Sequence, residues 1–571
     1  MPEDKAEGGG RPLTKRAVIF GFLLGILYTF VGIYLSYKVG IVAMGGIFLL
    51  GYVLLQLTGK YDYKENVILI IIVTSCLLPA FEISDNIAAL VIYGEYSSHN
   101  IPISFPLLFL MAAVGSLLGI FLLMPFKKQF LKLKWPMVQP SARMVKAIGG
   151  GKQEKKRAFG SMALSAVIAV VTRIGGFTTL SLPSLPSFIG FEVSPMMAGL
   201  GFFISFAGFA LLAVGATYSL VAWFFLEGAN PNLGFQDHIM HPSIFSTAIG
   251  LMVTTALIAI VRNRGALVDA FRSLRTAAGR KAGGSLPIWL TPLSMIVLPL
   301  ATVAMLYLAL GFLQSAALEV FYIVVIGVPI VLVAAFFVVM SWGEVGFSSS
   351  FSVDMVLVLA MFLFAPDIAI VLIAFSFLNA YEISSTRVMR NLKLGSLTEV
   401  AEKDVLKATL LATLPGAFIG AGTVWIFANI LGGLGTDVFP CPGGYVTGGY
   451  VLMVREALVH GVLPPMYDLR FLLIGIASAI VFSYIQSRMK IGAFSPITLA
   501  IGMLIPPTYV FPMFLGAALD IYVSKKYGRD RQTYDKERQK WTVITSGLFA
   551  GEGVILMIVT FAALLPLLFG S

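Results

Sequence analysis

Acidic side chains inside otherwise apolar stretches are the first residues here whose type and placement could do chemistry. Glu552 is the only charge between Trp541 and Ser571, and Gly551 and Gly553 flank it. Glu82 and Glu382 close long apolar runs in matching pentapeptides, Ala80-Phe81-Glu82-Ile83-Ser84 and Ala380-Tyr381-Glu382-Ile383-Ser384. An ionised group in hydrocarbon costs several kcal/mol on insertion scales, so such residues mark ion or substrate paths. Low-dielectric surroundings also favour the neutral carboxyl, which can then load and release a proton. Glu382, Glu82 and Glu552, in that order, are the proton-coupling candidates. The plainer reading of Glu82 and Glu382 is a helix-end carboxylate in water. Asp354 and Asp367 could each lie in a turn. Lys38 and Glu344 hold matching positions with opposite sign and could be interfacial or line the path.

Chemistry of the soluble kind is missing. There is no G-x-x-x-x-G-K-[ST] phosphate loop, no H-E-x-x-H and no G-x-S-x-G. His238 and His241 are three apart with no third ligand nearby, and a solvated loop explains them better than a metal. The two cysteines, Cys76 and Cys441, give neither a disulfide framework nor a redox compartment. Neither a cofactor nor a protein-bound metal is expected.

The elements that must position these acids follow from composition. Of 571 residues, 58% are hydrophobic and 12% charged, against about 25% charged in an ordinary soluble domain. A soluble enzyme, a nucleic-acid-binding protein and a disordered scaffold are excluded, and the bilayer must be the main solvent. Charge-free runs are long enough for 16 or 17 spanning helices. The runs 193–225 and 491–519 hold two shorter helices each. The fold class is therefore an all-α polytopic membrane protein.

Loop charge orients it. Residues 1–16 carry four Lys/Arg, 127–157 ten, 262–281 six and 525–540 seven, whereas 83–103, 179–192 and 227–241 carry none. The positive-inside rule puts the first set and the N-terminus in the cytoplasm. The net charge of +11 reflects those loops.

An internal repeat is legible. The two pentapeptides are offset by 300, Ser194-Pro195 and Ser495-Pro496 by 301, and Lys38-Val39-Gly40 and Glu344-Val345-Gly346 by 306. At the 301 offset Gly201, Gly215 and Gly250 meet Gly502, Gly516 and Gly551. Loop 227–241 is uncharged by Lys or Arg while its counterpart is basic, and 127–157 is basic while 432–469 carries only Arg455. The second half is accordingly expected to be inverted, an architecture of secondary transporters. The expected organisation is a tail at 1–16, a first repeat at 17–265, a linker with one unmatched helix at 266–319, and a second repeat at 320–571. Two interrupted segments, Trp135-Pro136-Met137-Val138-Gln139-Pro140-Ser141 and Phe439-Pro440-Cys441-Pro442-Gly443-Gly444, fall between the fourth and fifth helices of each half. Broken backbone at membrane depth is tolerated where it lines a cavity. Gly443, Gly444, Gly448 and Gly449 would let main chain approach a ligand.

Together these segments resemble the oligopeptide transporter (OPT) superfamily, which includes the yellow-stripe-like metal-chelate transporters. The resemblance rests on Leu13-Thr14-Lys15-Arg16-Ala17-Val18, Tyr34-Leu35-Ser36-Tyr37-Lys38-Val39-Gly40, Arg387 through Gly395, Ser495 through Gly516, and Ser546-Gly547-Leu548-Phe549-Ala550-Gly551-Glu552. It departs at Met137, Val138, Asn391 and the Cys441–Gly444 run. It implies proton-driven uptake of small peptides or metal chelates across the cell membrane, by a multi-pass protein that is not an enzyme. The partners implied are a small-molecule substrate, protons and lipid, with a homodimer left open. A channel or exporter on the same fold, a membrane enzyme and a structural subunit are the alternatives. A peptide zwitterion needs a cation, an anion and backbone-like partners. Arg387 or Lys393 beside Glu382, with Asn379 and Tyr381, could supply them.

Overall fold

The computed structural model describes residues 12–39, 47–98, 101–182, 184–204, 206–275, 289–310, 314–346, 350–365, 367–431, 433–436, 438–489 and 495–569. The chain is helical because a lipid-facing backbone must satisfy its own N–H and C=O groups. The first part runs α1 (Lys15–Val39), α2 (Ile47–Leu57), α3 (Tyr63–Tyr93), α4 (Phe105–Gly119), α5 (Lys127–Phe130), α6 (Val138–Gly149) and α7 (Lys152–Ile174). A two-residue antiparallel ladder follows, β1 (Thr179–Leu180) with β2 (Phe191–Glu192). Then come α8 (Pro195–Gly201), α9 (Phe206–Phe225), α10 (Phe235–Ile239) and α11 (Pro242–Arg262). Between the halves lie α12 (Arg264–Arg275) and α13 (Leu290–Leu310). The rest is α14 (Gln314–Glu344), α15 (Ser350–Phe362), α16 (Ile368–Thr398), α17 (Glu402–Asn429), α18 (Pro442–Val459), α19 (Leu469–Met489), α20 (Pro496–Leu504), α21 (Pro507–Tyr527) and α22 (Arg531–Phe569).

Eleven helices among the described residues are long and apolar enough to cross a bilayer. That is fewer than the 16 or 17 spans expected from the charge-free runs. The pairs expected in 193–225 and 491–519 are present, but their first members, α8 and α20, have 7 and 9 residues and are too short to span. Others, such as α2 and α15, are too short to span alone.

α3 and α16 are the most enclosed of the spans and α19 the most exposed. α3 packs on α1, α17 and α18, and α16 on α4, α14 and α3. Each of this pair starts on an aspartate cap. Asp62 accepts the Lys64 N–H, and Asp367 accepts those of Ala369 and Ile370 at 2.9 and 3.1 Å. An N-cap carboxylate satisfies N–H groups that the first helical turn leaves open. Asp367 also holds Ser97 and Ser98, so its role here is to tie two loops together.

Contacts between the two parts of the chain are reciprocal. The Trp135 N–H donates to the Gly343 carbonyl at 2.7 Å, and the Cys441 N–H donates to the Tyr37 carbonyl at 2.7 Å. Trp135 and Cys441, like Tyr37 and Gly343, are 306 residues apart. Both donors have left-handed backbone, φ 56° and 49°, which is strained for non-glycine residues. Buried packing and an indole bond from Trp135 Nε1 to the Phe130 carbonyl at 2.8 Å hold the first. The small-residue crossings exchange likewise. A Cβ on Gly201 would strike the Met513 carbonyl of α21, and one on Gly502 would strike the Leu212 carbonyl of α9. α13 occupies the expected linker, and α14 begins at Gln314, within that linker rather than at 320.

Candidate functional site

Glu382 stands in the middle of the 31-residue α16 and is 1% exposed. It is not a helix-end carboxylate in water, because the helix runs on through the polar stretch to Thr398. Asp354, on α15, is also buried, and its carboxyl group lies close enough to that of Glu382 for the two to interact. Two carboxylates buried side by side repel when both are ionised, so the pair favours a proton on one of the two. Asn379 and Thr386 lie one turn to either side of Glu382 and share its face. Thr386 Oγ1, and Asn86 Nδ2 on α3, are buried without a hydrogen-bond partner among the described residues. Buried polar atoms left open in this way suit water or a ligand.

The other candidates spread out from that pair. Five residues along a helix turn a side chain by about 140°, so Arg387 points away from Glu382. Arg387 reaches the Ser75 carbonyl of α3 at 3.4 Å and Ser384 Oγ at 2.5 Å. Lys393 Nζ donates to the carbonyls of Leu131 and Leu133, at 2.8 and 2.7 Å, and so fastens the segment before Trp135. The Tyr381 hydroxyl pairs with Ser294 Oγ of α13 at 2.9 Å. Asn379 is half-buried. Lys393 and Tyr381 thus hold partners elsewhere, while Asn379 shares the Glu382 face. Glu82 lies mid-helix in α3; its side chain is outside the described residues.

Lys38 Nζ, exposed at the end of α1, donates to the Val438 carbonyl at 3.0 Å. Glu344, at the matching end of α14, accepts from Thr498 Oγ1 of α20 at 3.2 Å. Gly443 and Gly444 are covered by α3. A Cβ on Gly443 would lie 2.5 Å from the Asp85 carboxyl carbon, and one on Gly444 2.5 Å from the Ala88 Cβ. These glycines permit close helix packing rather than exposing main chain to a ligand. Asp85, which sequence reasoning passed over, accepts from Ser36 Oγ at 2.9 Å and sits against the start of α18. The polar triple Ser84-Asp85-Asn86 inside an apolar run was the signal that could have found it.

Glu552 is buried, 5% exposed, and supplied with donors. It accepts from Ser194 Oγ at 2.8 Å and from the Met196 N–H at 2.9 Å, while its own N–H donates to Ser165 Oγ. Close by, burial and then the Glu552 charge push the Glu192 carboxyl up to about 7, against the opposing pull of Arg173. His238 corrects the solvated-loop expectation. It is fully buried, stacked on Phe188 with centroids 4.6 Å apart, and held by Glu227 at 2.5 Å and Ser219 at 2.7 Å. His241 instead caps α11 through the Ser243 N–H.

Residues 12–563 match the family model described as OPT oligopeptide transporter protein. The chain belongs to the OPT oligopeptide transporter family. No curated protein matches it. Membership covers nearly the whole chain, so this OPT protein is a multi-pass membrane transporter for oligopeptide-type substrates in general. Membership in a transporter family also argues against a membrane-embedded enzyme.

Proposed function

We propose that this OPT protein is a proton-coupled secondary active transporter that takes up small oligopeptides across the cell membrane. The observation that carries the reading is the Asp354–Glu382 carboxyl pair, buried where α15 meets the enclosed α16. A facing pair inside a low-dielectric protein holds one shared proton at lower cost than two charges. Substrate binding or a change of access that separates the pair would release that proton. The reciprocal contacts at Trp135 and Cys441 support two inverted halves that meet around this region. Asn379, Thr386 and the open polar atoms near α3 are the groups we assign to a peptide's backbone.

Purified protein in liposomes tests it. Di- to hexapeptides should accumulate above the external concentration when the interior is alkaline. Equal uptake with the gradient collapsed would remove the proton from the reading. Thermal stabilisation by metal-loaded chelators with every peptide silent would replace peptide by chelate. The orientation is tested separately with single cysteines. One at Gly234 should label from outside, and one at Gln532 only from inside. Outside labelling at 532 would end the inverted arrangement.

A further inference from the structure

Two basic segments from opposite ends of the sequence meet in one cavity. Its volume is about 420 Å³, and Lys134, Arg143 and Arg538 line it, with Asp535 as the one lining acid. Phe202 and Phe203, at the α8–α9 turn, also line it. The positions are built rather than incidental. Lys134 precedes the left-handed Trp135, and its carbonyl accepts from Gln139 Nε2 at 2.7 Å. Gln139 and Arg143 are one turn apart on α6, so they share a face. Asp535, Arg538, Gln539 and Thr542 do the same on α22. The positive-inside tendency would scatter cations over this side of the protein, yet it would not turn three of them toward one concavity.

The charges are not balanced from within. Arg538 lies 3.5 Å from Asp520, and among the described residues no carboxylate pairs with Lys134 or Arg143 within 4.0 Å. Burial pulls the Lys134 ammonium below its ordinary range, Asp520 opposes this, and the Arg538 charge adds to it. Such a group gains from an anion. Guanidinium and ammonium groups converging on one concavity fit a tetrahedral oxyanion.

We propose that this cavity is a binding site for a phosphate-bearing anion. It lies on the side that loop charge places in the cytoplasm, where two sources exist: a soluble phosphate and an anionic lipid headgroup. The site is separate from the carboxyl pair, and its test does not depend on transport.

Full-length protein in phosphatidylcholine nanodiscs is titrated with inorganic pyrophosphate, and compared with protein in nanodiscs containing phosphatidylglycerol. A rise in unfolding temperature with pyrophosphate identifies soluble phosphate, and a rise only with phosphatidylglycerol identifies the headgroup. Either supports the site. Arg143→Gln should weaken the effective probe roughly tenfold or more, as expected for a charge-assisted bond. Lys134→Gln should act alike, and Arg143→Lys should retain part of the binding. Lys152→Gln, an exposed control on the same side, should leave it unchanged. No response to either probe, or equal weakening in the control, overturns the proposal.

Discussion

Glu382 and Glu552 are both carboxylates buried in long apolar helices, and their surroundings differ in one decisive respect. Glu552 has two donors on its Oε2, the Ser194 hydroxyl and the Met196 N–H. Glu382 faces a second carboxyl group, Asp354. A carboxylate supplied with donors can act as a structural clasp. One that meets its own kind needs a proton to be tolerated. Burial alone does not mark a coupling site; the chemistry of the nearest partner does. On this comparison we propose a structural role for Glu552, which the sequence ranks third for proton coupling, behind Glu382 and Glu82.

The comparison can be broken at the Glu552 end most severely. Glu552→Ala strands the Ser194 hydroxyl and the Met196 N–H, and should lower stability by about 3 kcal/mol, read from denaturant or thermal unfolding in detergent. Glu552→Gln keeps an acceptor oxygen and should fold and accumulate substrate. A Gln variant that folds yet loses pH-driven uptake would return Glu552 to the coupling set. Gly443→Ala should cost about 2 kcal/mol by pressing Asp85 away from α18. Asp85→Ser, which places at 85 the residue found at the matching position 385, should recover much of that loss. Asp354→Asn should keep the fold and transport while moving the pH of half-maximal uptake, because the pair would keep a hydrogen-bond donor without a second titrating group. An unchanged pH profile would separate Asp354 from the proton. The smallest effect belongs to Glu192. Its native carboxyl keeps a proton up to about 7, against 4.5 for the free group, so its contribution to stability falls as pH rises from 4.5 to 7. Glu192→Gln should flatten that part of a stability-versus-pH curve, and an unchanged slope would contradict the assignment.

Much of the architecture was legible because hydrocarbon enforces it. Charge-free runs yield helices, and paired glycines 301 apart yield crossings such as Gly201 on α21 and Gly502 on α9. The number of spans was less legible, since a charge-free run does not say whether each of its helices is long enough to cross; α20, in the expected pair at 491–519, has only 9 residues. The site was legible in part. Glu382 stood out through burial and the repeat. Its partner did not, because Asp354 is 28 residues away in sequence and only the packing of α15 on α16 brings them together. Arg387 and Lys393 looked like its companions because they are near in sequence; helical rotation turns Arg387 by about 140°, and Lys393 lies about three turns along the helix, on the Leu131 and Leu133 carbonyls. Asp85 was hidden among neighbouring polar residues, with its contact to Gly443 set by the approach of α18 to α3.

The central claim is that Glu382 carries the coupled proton. Peptide accumulation by Glu382→Gln in liposomes with an alkaline interior, beside peptide exchange at equal pH in the same vesicles, tests it most directly. The account predicts that accumulation falls to the equilibrium level while exchange persists. Accumulation equal to that of the unmodified protein would contradict it.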